Sequence, residues 1–182
     1  NSIKPLRGLM ELVDDKLSVF DVNSNLELGL AAIQWSIENN KIQQGFTALE
    51  ETIKTFLCNF YGLDETEEKY RDGMCKSACS LLARELREGK ELTTEVREEA
   101  YAGWDGQKAT EEEMQIVRRI FVELPLELIQ LTMNISNNRN SLNHFGYSNK
   151  GQFSSSTLEK NLKDYYAQFV DCMETMKEEC MI

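Results

Sequence analysis

An all-helical bundle of about six helices is the fold class that this sequence predicts, and three observations indicate it. Only two prolines, Pro5 and Pro125, occur in 182 residues, so long helices can run without interruption. Charged residues make up 28% of the chain, and Glu, Lys and Leu are abundant, as is typical of helices. Apolar residues recur at spacings of three and four, and no stretch shows a convincing strand pattern. The length and the 41% hydrophobic content predict one domain over residues 1–182.

The first third of the chain predicts a leading helix followed by a helical hairpin. Residues 5–20 carry apolar side chains on one side and a polar break follows, so residues 1–22 are expected to form a leading helix and connection. Asn23 or Ser24 can cap the next helix. A short joint at residues 39–40 separates two apolar stripes, which predicts an antiparallel pair that ends at Gly62. The stripes consist of Leu26, Leu30, Ile33 and Ile37, and of Ile42, Phe46, Leu49, Ile53, Phe56, Leu57 and Phe60.

Residues 65–110 have a mixed pattern and are a candidate insertion. A charged helix is predicted over residues 65–88, with Gly89 as its stop. Residues 90–110 contain two glycines and show only a short helical pattern near Val96, which favours an irregular connection. Trp104 in this connection is expected to fold back on the bundle.

Two capping boxes introduce the last helices. Thr110 with Glu113 begins one helix, and Ser156 with Glu159 begins the final one. Pro125 lies within the apolar pattern of the first of these and predicts a kink or a break into two helices. Beyond Ile135 this helix becomes polar and rich in asparagine, which favours helix ends and exposed turns.

The charge balance restricts the kind of nucleic-acid site that is possible. Lys and Arg total 20 against 31 acidic residues, a formal net charge of -11. This argues against a protein that coats duplex nucleic acid by bulk electrostatics. A local basic cleft is still compatible with the sequence, for instance one that brings two copies of an arginine together across a dimer axis.

The cysteines predict reduced thiols rather than a disulfide framework or a metal site. Five cysteines occur without a signal peptide or the dense even spacing of secreted scaffolds, which favours a cytoplasmic protein. Cys75 and Cys79 share a helix face, but a zinc site would need distant ligands, so packing in the core is expected. No metal and no other cofactor is predicted. No run approaches the roughly 20 apolar residues of a membrane span.

Residues 139–147 carry the chemistry that the sequence offers. His144 is the single histidine of the chain, and its side chain can accept and donate a proton near neutral pH. Arg139 lies five positions earlier and offers a guanidinium fork that fits phosphate oxygens. Asn140 follows the arginine and can orient a phosphate or the histidine by hydrogen bonds. In RNA, these groups suffice for attack of the 2′-hydroxyl on the neighbouring phosphate, whereas DNA lacks that nucleophile.

Helix geometry indicates that this site is incomplete in one copy. On a regular helix Arg139 and His144 point about 140° apart and stand about 7.5 Å apart along the axis. Either the helix breaks within the asparagine-rich stretch, or the arginine extends toward a cleft shared with a second subunit. Both alternatives favour a two-fold dimer in which two motifs face each other.

The motif Arg139-Asn140-x-x-x-His144, at the end of a late helix, resembles the Arg-x4–6-His signature of HEPN domains. The hairpin before it, including Ile42-Gln43-Gln44-Gly45-Phe46, is similar to the CARF–HEPN ribonucleases of type III CRISPR systems. The resemblance implies a HEPN-like homodimer that cleaves single-stranded RNA without a metal in antiviral defence. It also implies a sensor domain, absent from this chain, that binds cyclic oligoadenylate and activates the nuclease. Asn1 in place of an initiating methionine agrees with a fragment of such a protein.

Three alternatives accompany this hypothesis. Arg139 and His144 can be structural groups that cap carbonyls or pair with acidic residues. The chain can be a non-catalytic HEPN-like module of the toxin–antitoxin or scaffold type that binds RNA or a protein. It can also be an unrelated helical dimerisation domain. Asn143 and Tyr147 are further possible substrate contacts.

Overall fold

Seven helices form the regular structure of the part of the chain that is described. The computed structural model describes residues 18–106, 108–143 and 153–179, and these contain helices and no strand, which confirms the all-α fold class. The helices are α1 (Asn25–Glu38), α2 (Ile42–Tyr61), α3, α4 (Thr94–Ala102), α5 (Glu111–Glu123), α6 (Leu126–Asn143) and α7 (Ser155–Glu179). Helix α3 is continuous and comprises an α-helical turn (Glu68–Tyr70), a π-helical segment (Arg71–Lys76) and an α-helical segment (Ser77–Arg87). None of the helices described is both long and apolar enough to cross a membrane.

The start of α1 agrees with the predicted cap. The hydroxyl of Ser24 accepts a hydrogen bond from the backbone N–H of Glu27 at 3.2 Å, and the Glu27 carboxylate accepts one from the backbone N–H of Asn23 at 2.9 Å. These bonds satisfy donors that a helix start leaves without partners. Of the predicted leading helix, only Ser18–Phe20 is described, and it forms a 3-10 turn.

Helices α1 and α2 form the antiparallel hairpin that the two apolar stripes predict. Two glycines allow the helices to pack closely, because a Cβ atom at Gly29 would clash with the side chain of Thr52 on α2. A Cβ atom at Gly45 would clash with Leu162 of α7. Substituting either glycine therefore requires the facing side chain, or the helix that carries it, to shift.

Helix α2 is the centre of the hydrophobic core and contacts α1, α3, α6 and α7. Its fully buried apolar side chains are Phe46, Leu49, Ile53, Phe56 and Leu57. All five belong to the stripe that the sequence predicts. Gly62 ends the helix in the left-handed conformation at φ 71°, which glycine adopts without steric cost.

The π-helical segment of α3 is held against α2 by Arg71. One guanidinium nitrogen of Arg71 donates to the hydroxyl of Thr55 at 2.8 Å, and the other donates to the carboxylate of Glu51 at 2.9 Å. The hydroxyl of Ser77 donates to the carbonyl of Asp72 at 2.9 Å, five residues earlier. These bonds support the wider turn, a feature that often occurs at functional sites.

Residues 65–110 contribute to the main core and are more regular than the pattern near Val96 indicates. Residues 94–102 form α4, whose start is capped by the hydroxyl of Thr93. The Trp104 indole donates to the carbonyl of Gly73 at 2.8 Å, so this side chain folds back on α3 as expected. The buried apolar side chains of this part of the chain are Met74, Cys75, Ala78, Cys79, Leu82, Ala83 and Ala100. Whether residues 65–110 are an insertion stays a prediction.

Pro125 divides the predicted helix into two, because it has no N–H to continue the hydrogen-bond ladder. Helix α5 ends at Glu123, Leu124 has an extended conformation (φ -55°, ψ 125°), and α6 begins at Leu126. The break leaves carbonyls without helical partners, and Arg97 of α4 donates to those of Phe121 and Leu124 at 2.9 and 3.0 Å.

One of the two predicted capping boxes is present and the other is wrong. Thr110 and Glu113 form a complete capping box at the start of α5. Helix α7 begins one residue before the predicted cap, because the hydroxyl of Ser154, rather than Ser156, accepts from the backbone N–H of Thr157 at 3.1 Å. The Glu159 carboxylate pairs with Lys163 at 2.7 Å instead of reaching back to the helix start.

The Glu113 carboxylate predicts a specific loss of stability in acid. It accepts hydrogen bonds from Lys69 at 2.7 Å, from the backbone of Thr110 at 2.8 Å and from the Tyr70 hydroxyl at 2.9 Å. These bonds, with Lys69 first, lower the pKa of Glu113 to about 2. At pH values between about 2 and the ordinary glutamate pKa of about 4.3, the unfolded chain binds the proton more readily than the folded chain. The stability that these bonds contribute is therefore lost as the pH falls through that window.

We therefore expect wild type to melt at a higher temperature than Glu113→Gln above about pH 5, with a difference that shrinks as the pH approaches 2. Thermal unfolding followed by circular dichroism from neutral to acid pH measures this difference. A difference that does not change across that range would contradict the assignment.

Candidate functional site

Helix α6 places Arg139 and Asn140 on its last turns. The helix runs without a break from Leu126 to Asn143, so the expected break in the asparagine-rich stretch does not occur before Asn143. His144 and Tyr147 lie outside the described residues. The second alternative, in which Arg139 extends toward a cleft shared with another subunit, stays a prediction.

Arg139 forms an ion pair, as the structural alternative anticipated, with a partner that the sequence did not identify. Its Nη1 atom donates to the carboxylate of Glu50, which lies 89 positions earlier on α2. The Nζ atom of Lys76 on α3 lies 3.6 Å from the other oxygen of the same carboxylate. Both members of the Arg139–Glu50 pair are partly buried, with side-chain exposures of 28% and 18%. Glu50 therefore lies between two cations and connects α6, α2 and α3.

A signal for Glu50 was present in the sequence. Phe46, Leu49 and Ile53 are buried on the inner side of α2, and Glu50 follows Phe46 by four positions and precedes Ile53 by three. Residues at these spacings share one side of a helix. A carboxylate on a buried stripe requires a partner, and this requirement is what the pattern could have revealed.

The buried asparagine beside the motif is Asn138 rather than Asn140. Asn140 is exposed, whereas Asn138 is 2% exposed. The Asn138 amide donates to the carbonyl of Asn134 at 2.8 Å and to the hydroxyl of Tyr165 at 3.4 Å, and its oxygen accepts from Asn161 at 3.0 Å. Because Tyr165 and Asn161 belong to α7, this network fixes the rotation of α6 about its axis. That rotation directs Arg139 toward α2.

Carboxylates accompany the other cations in this region. The Lys54 side chain is 7% exposed and pairs with Glu51 at 2.7 Å and with Asp72 at 3.1 Å. Burial raises the pKa of the Asp72 carboxyl, but the bond and charge of Lys54 outweigh it, so the net pKa is lowered. The same balance, with Arg71 added, lowers the pKa of Glu51. Both carboxylates are therefore charged at neutral pH and offset much of the local positive charge.

A groove of about 60 Å³ adjoins the Arg139–Glu50 pair, between α2, α3 and α6. Its floor is apolar, and its rim carries cations, hydroxyls and the carboxylate of Glu50. Helix α6 contributes Thr132 and Ser136, which precede Arg139 by seven and three positions and share its side of the helix. Arg139 thus lies at one end of the groove.

The buried cysteines pack in the core. Cys75 and Cys79 are both buried, and the sulfur of Cys75 lies 3.8 Å from that of Cys58. Burial raises the pKa of the Cys79 thiol to about 12, so the thiol is neutral at physiological pH. Among the residues described, no group of three or more His, Cys, Asp or Glu side chains is arranged to hold a metal ion.

Comparison with known proteins identifies no relative of this chain. The chain matches no family model, no curated protein and no solved structure. The HEPN resemblance therefore stays a prediction that rests on the motif and on the hairpin before it.

Proposed function

We propose that the protein is a metal-independent endoribonuclease that cleaves single-stranded RNA, with Arg139, Asn140 and His144 at its catalytic site. The observation that carries the proposal is the placement of Arg139, whose guanidinium is held by Glu50 at the end of a groove. The ion pair uses one of five N–H donors, so others stay available for phosphate oxygens. The Arg139-Asn140-x-x-x-His144 motif supplies the remaining groups.

The proposed reaction proceeds by transfer of the phosphoryl group within the RNA. His144 removes the proton of the 2′-hydroxyl, and the resulting oxygen attacks the adjacent phosphorus. The bond to the 5′-oxygen of the next nucleotide breaks, and that oxygen takes up the proton that His144 had accepted, which returns the imidazole to its neutral form. The products are a 2′,3′-cyclic phosphate and a 5′-hydroxyl. Arg139 stabilises the additional negative charge of the transition state, and Asn140 orients the phosphate by hydrogen bonds.

The biological setting of the proposal rests on the HEPN resemblance alone. There, two copies of the chain form the catalytic cleft, and a separate sensor domain activates it when it binds cyclic oligoadenylate. The acidic net charge of -11 favours a cleft that two copies share, because each motif contributes one arginine to it.

The Arg139–Glu50 pair also favours a second candidate function. The guanidinium of Arg139 is already paired with a carboxylate, as is expected of a structural group in a non-catalytic module that binds RNA or a protein. In that case Arg139 only fastens α6 to α2. The two functions differ in whether RNA is cut.

The experiment that tests the proposal is cleavage of labelled single-stranded RNA by the purified protein in excess EDTA. A matched RNA with 2′-O-methyl groups lacks the nucleophile, and a His144→Ala preparation purified in the same way controls for contaminating nucleases. We expect wild type alone to cut unmodified RNA and to leave a cyclic phosphate. Equal cutting by the variant, or cutting of the 2′-O-methyl RNA, would refute the proposed mechanism, and RNA binding without cleavage would favour the module.

A further inference from the structure

The groove beside Arg139 is bordered by two polar stripes on facing helices. On α3 the stripe consists of Lys76, Ser80 and Arg87, at spacings of four and seven, and all three are exposed. On α6 it consists of Thr132 and Ser136, and Arg139 continues this side of the helix just beyond the groove, where it pairs with the lining residue Glu50. The floor between them is buried and apolar and is formed by Ile53, Leu57, Cys79, Ala83 and Ile135.

The two stripes run in opposite directions along the groove. Lys76 and Arg139 lie at the same end, because both pair with Glu50. Cys79, which follows Lys76 on α3, lies beside Thr132, which precedes Arg139 on α6. Arg87 therefore lies beyond Thr132, at the end opposite the motif. Eleven residues separate Lys76 from Arg87, which is about 16 Å along a helix.

Arg87 differs from the other cations of the groove in its lack of a carboxylate partner. Lys54, Lys76 and Arg139 each form ion pairs. Arg87 has no ion pair within residues 18–106, 108–143 and 153–179. An arginine without a partner is a strong site for a phosphate, which it can bind through two parallel hydrogen bonds.

We propose that this groove binds the RNA strand next to the scissile phosphate and that Arg87 holds one of the flanking phosphates. This inference rests on the proposed ribonuclease function. Successive phosphates of a stacked strand rise by roughly 3.4 Å each, so a strand that runs along the rim for about 16 Å places several phosphates between Arg139 and Arg87. Ser80 and Ser136 lie on the rim between the two ends, where their hydroxyls can bind sugars and phosphates, and the cavity of about 60 Å³ is too small to receive a base.

Binding of a non-cleavable 2′-O-methyl RNA, followed by fluorescence anisotropy, tests this assignment. Arg84→Ala is the matched control for Arg87→Ala, because Arg84 lies one turn earlier on α3, outside the groove, and pairs with Glu85 at 3.1 Å. We expect Arg87→Ala to raise the Kd about tenfold, which corresponds to about 1.4 kcal/mol. We also expect the slope of log Kd against log salt concentration to fall by about one unit, which is the contribution of one phosphate contact.

Cleavage measured in parallel separates this inference from the proposed function. At subsaturating unmodified RNA, the kcat/KM of Arg87→Ala is expected to fall about tenfold, in parallel with the rise in Kd, whereas Arg84→Ala keeps the wild-type value. If wild type cleaves RNA but the Arg87 and Arg84 variants raise the Kd equally, the groove assignment is wrong and the proposed ribonuclease function is retained. If wild type neither binds nor cleaves RNA, both proposals fail.

Discussion

Replacing Arg139 by alanine is expected to lower the kcat of RNA cleavage by about 10²–10³-fold, the usual cost of removing one group that stabilises transition-state charge. The fold should survive the change, because the Glu50 carboxylate keeps Lys76 as a partner at 3.6 Å. Single-turnover cleavage in EDTA measures the rate, and thermal unfolding measures the fold. An Arg139 variant that unfolds, or that cuts as fast as wild type, would support the structural alternative.

Glu50→Gln is the companion variant that separates positioning from catalysis. It preserves the shape of the side chain and removes the charge that holds Arg139, so a loss of about tenfold in kcat is expected from misplacement of the guanidinium. Combining the two changes should cost no more than Arg139→Ala alone, because Glu50 acts only through Arg139. Additive losses would show that Glu50 has a separate role.

The largest effect on stability is expected at Phe56. Its side chain is 2% exposed, and its ring centroid lies 5.7 Å from that of Phe60 and 5.9 Å from that of Phe169 on α7. Phe56→Ala removes the ring contact with Phe169 of α7 and leaves a cavity, so a loss of about 3–5 kcal/mol in the free energy of unfolding is expected.

Urea denaturation of the Phe56→Ala variant measures this loss, and Phe153→Ala is the matched control. Phe153 is 40% exposed, and its substitution should change the free energy of unfolding by no more than about 0.5 kcal/mol. Similar values for both variants would mean that Phe56 is not a core residue.

Local signals identified most of the helices and several of their ends. The stripe from Phe46 to Leu57 depends on residues within one helix, as do the Thr110–Glu113 capping box and the break at Pro125. The sequence could not distinguish Ser154 from Ser156 as a cap, since three serines in succession offer the same local chemistry. It also did not reveal α4 as a full helix, because the capping bond from Thr93 and packing against neighbouring helices outweigh a weak periodic pattern.

By itself, the sequence determined that this protein is all-helical, where most of its helices begin and end, and that Arg139 and Asn140 follow the buried part of a late helix. Propensity, periodicity and capping act over a few residues, so they can be recognised without the fold. Only the tertiary structure decided that Glu50 is the partner of Arg139, that Asn138 is the buried asparagine, and that Arg87 lies on the same groove. Such pairings depend on how helices distant in sequence are rotated and packed against one another, and no local pattern encodes that rotation.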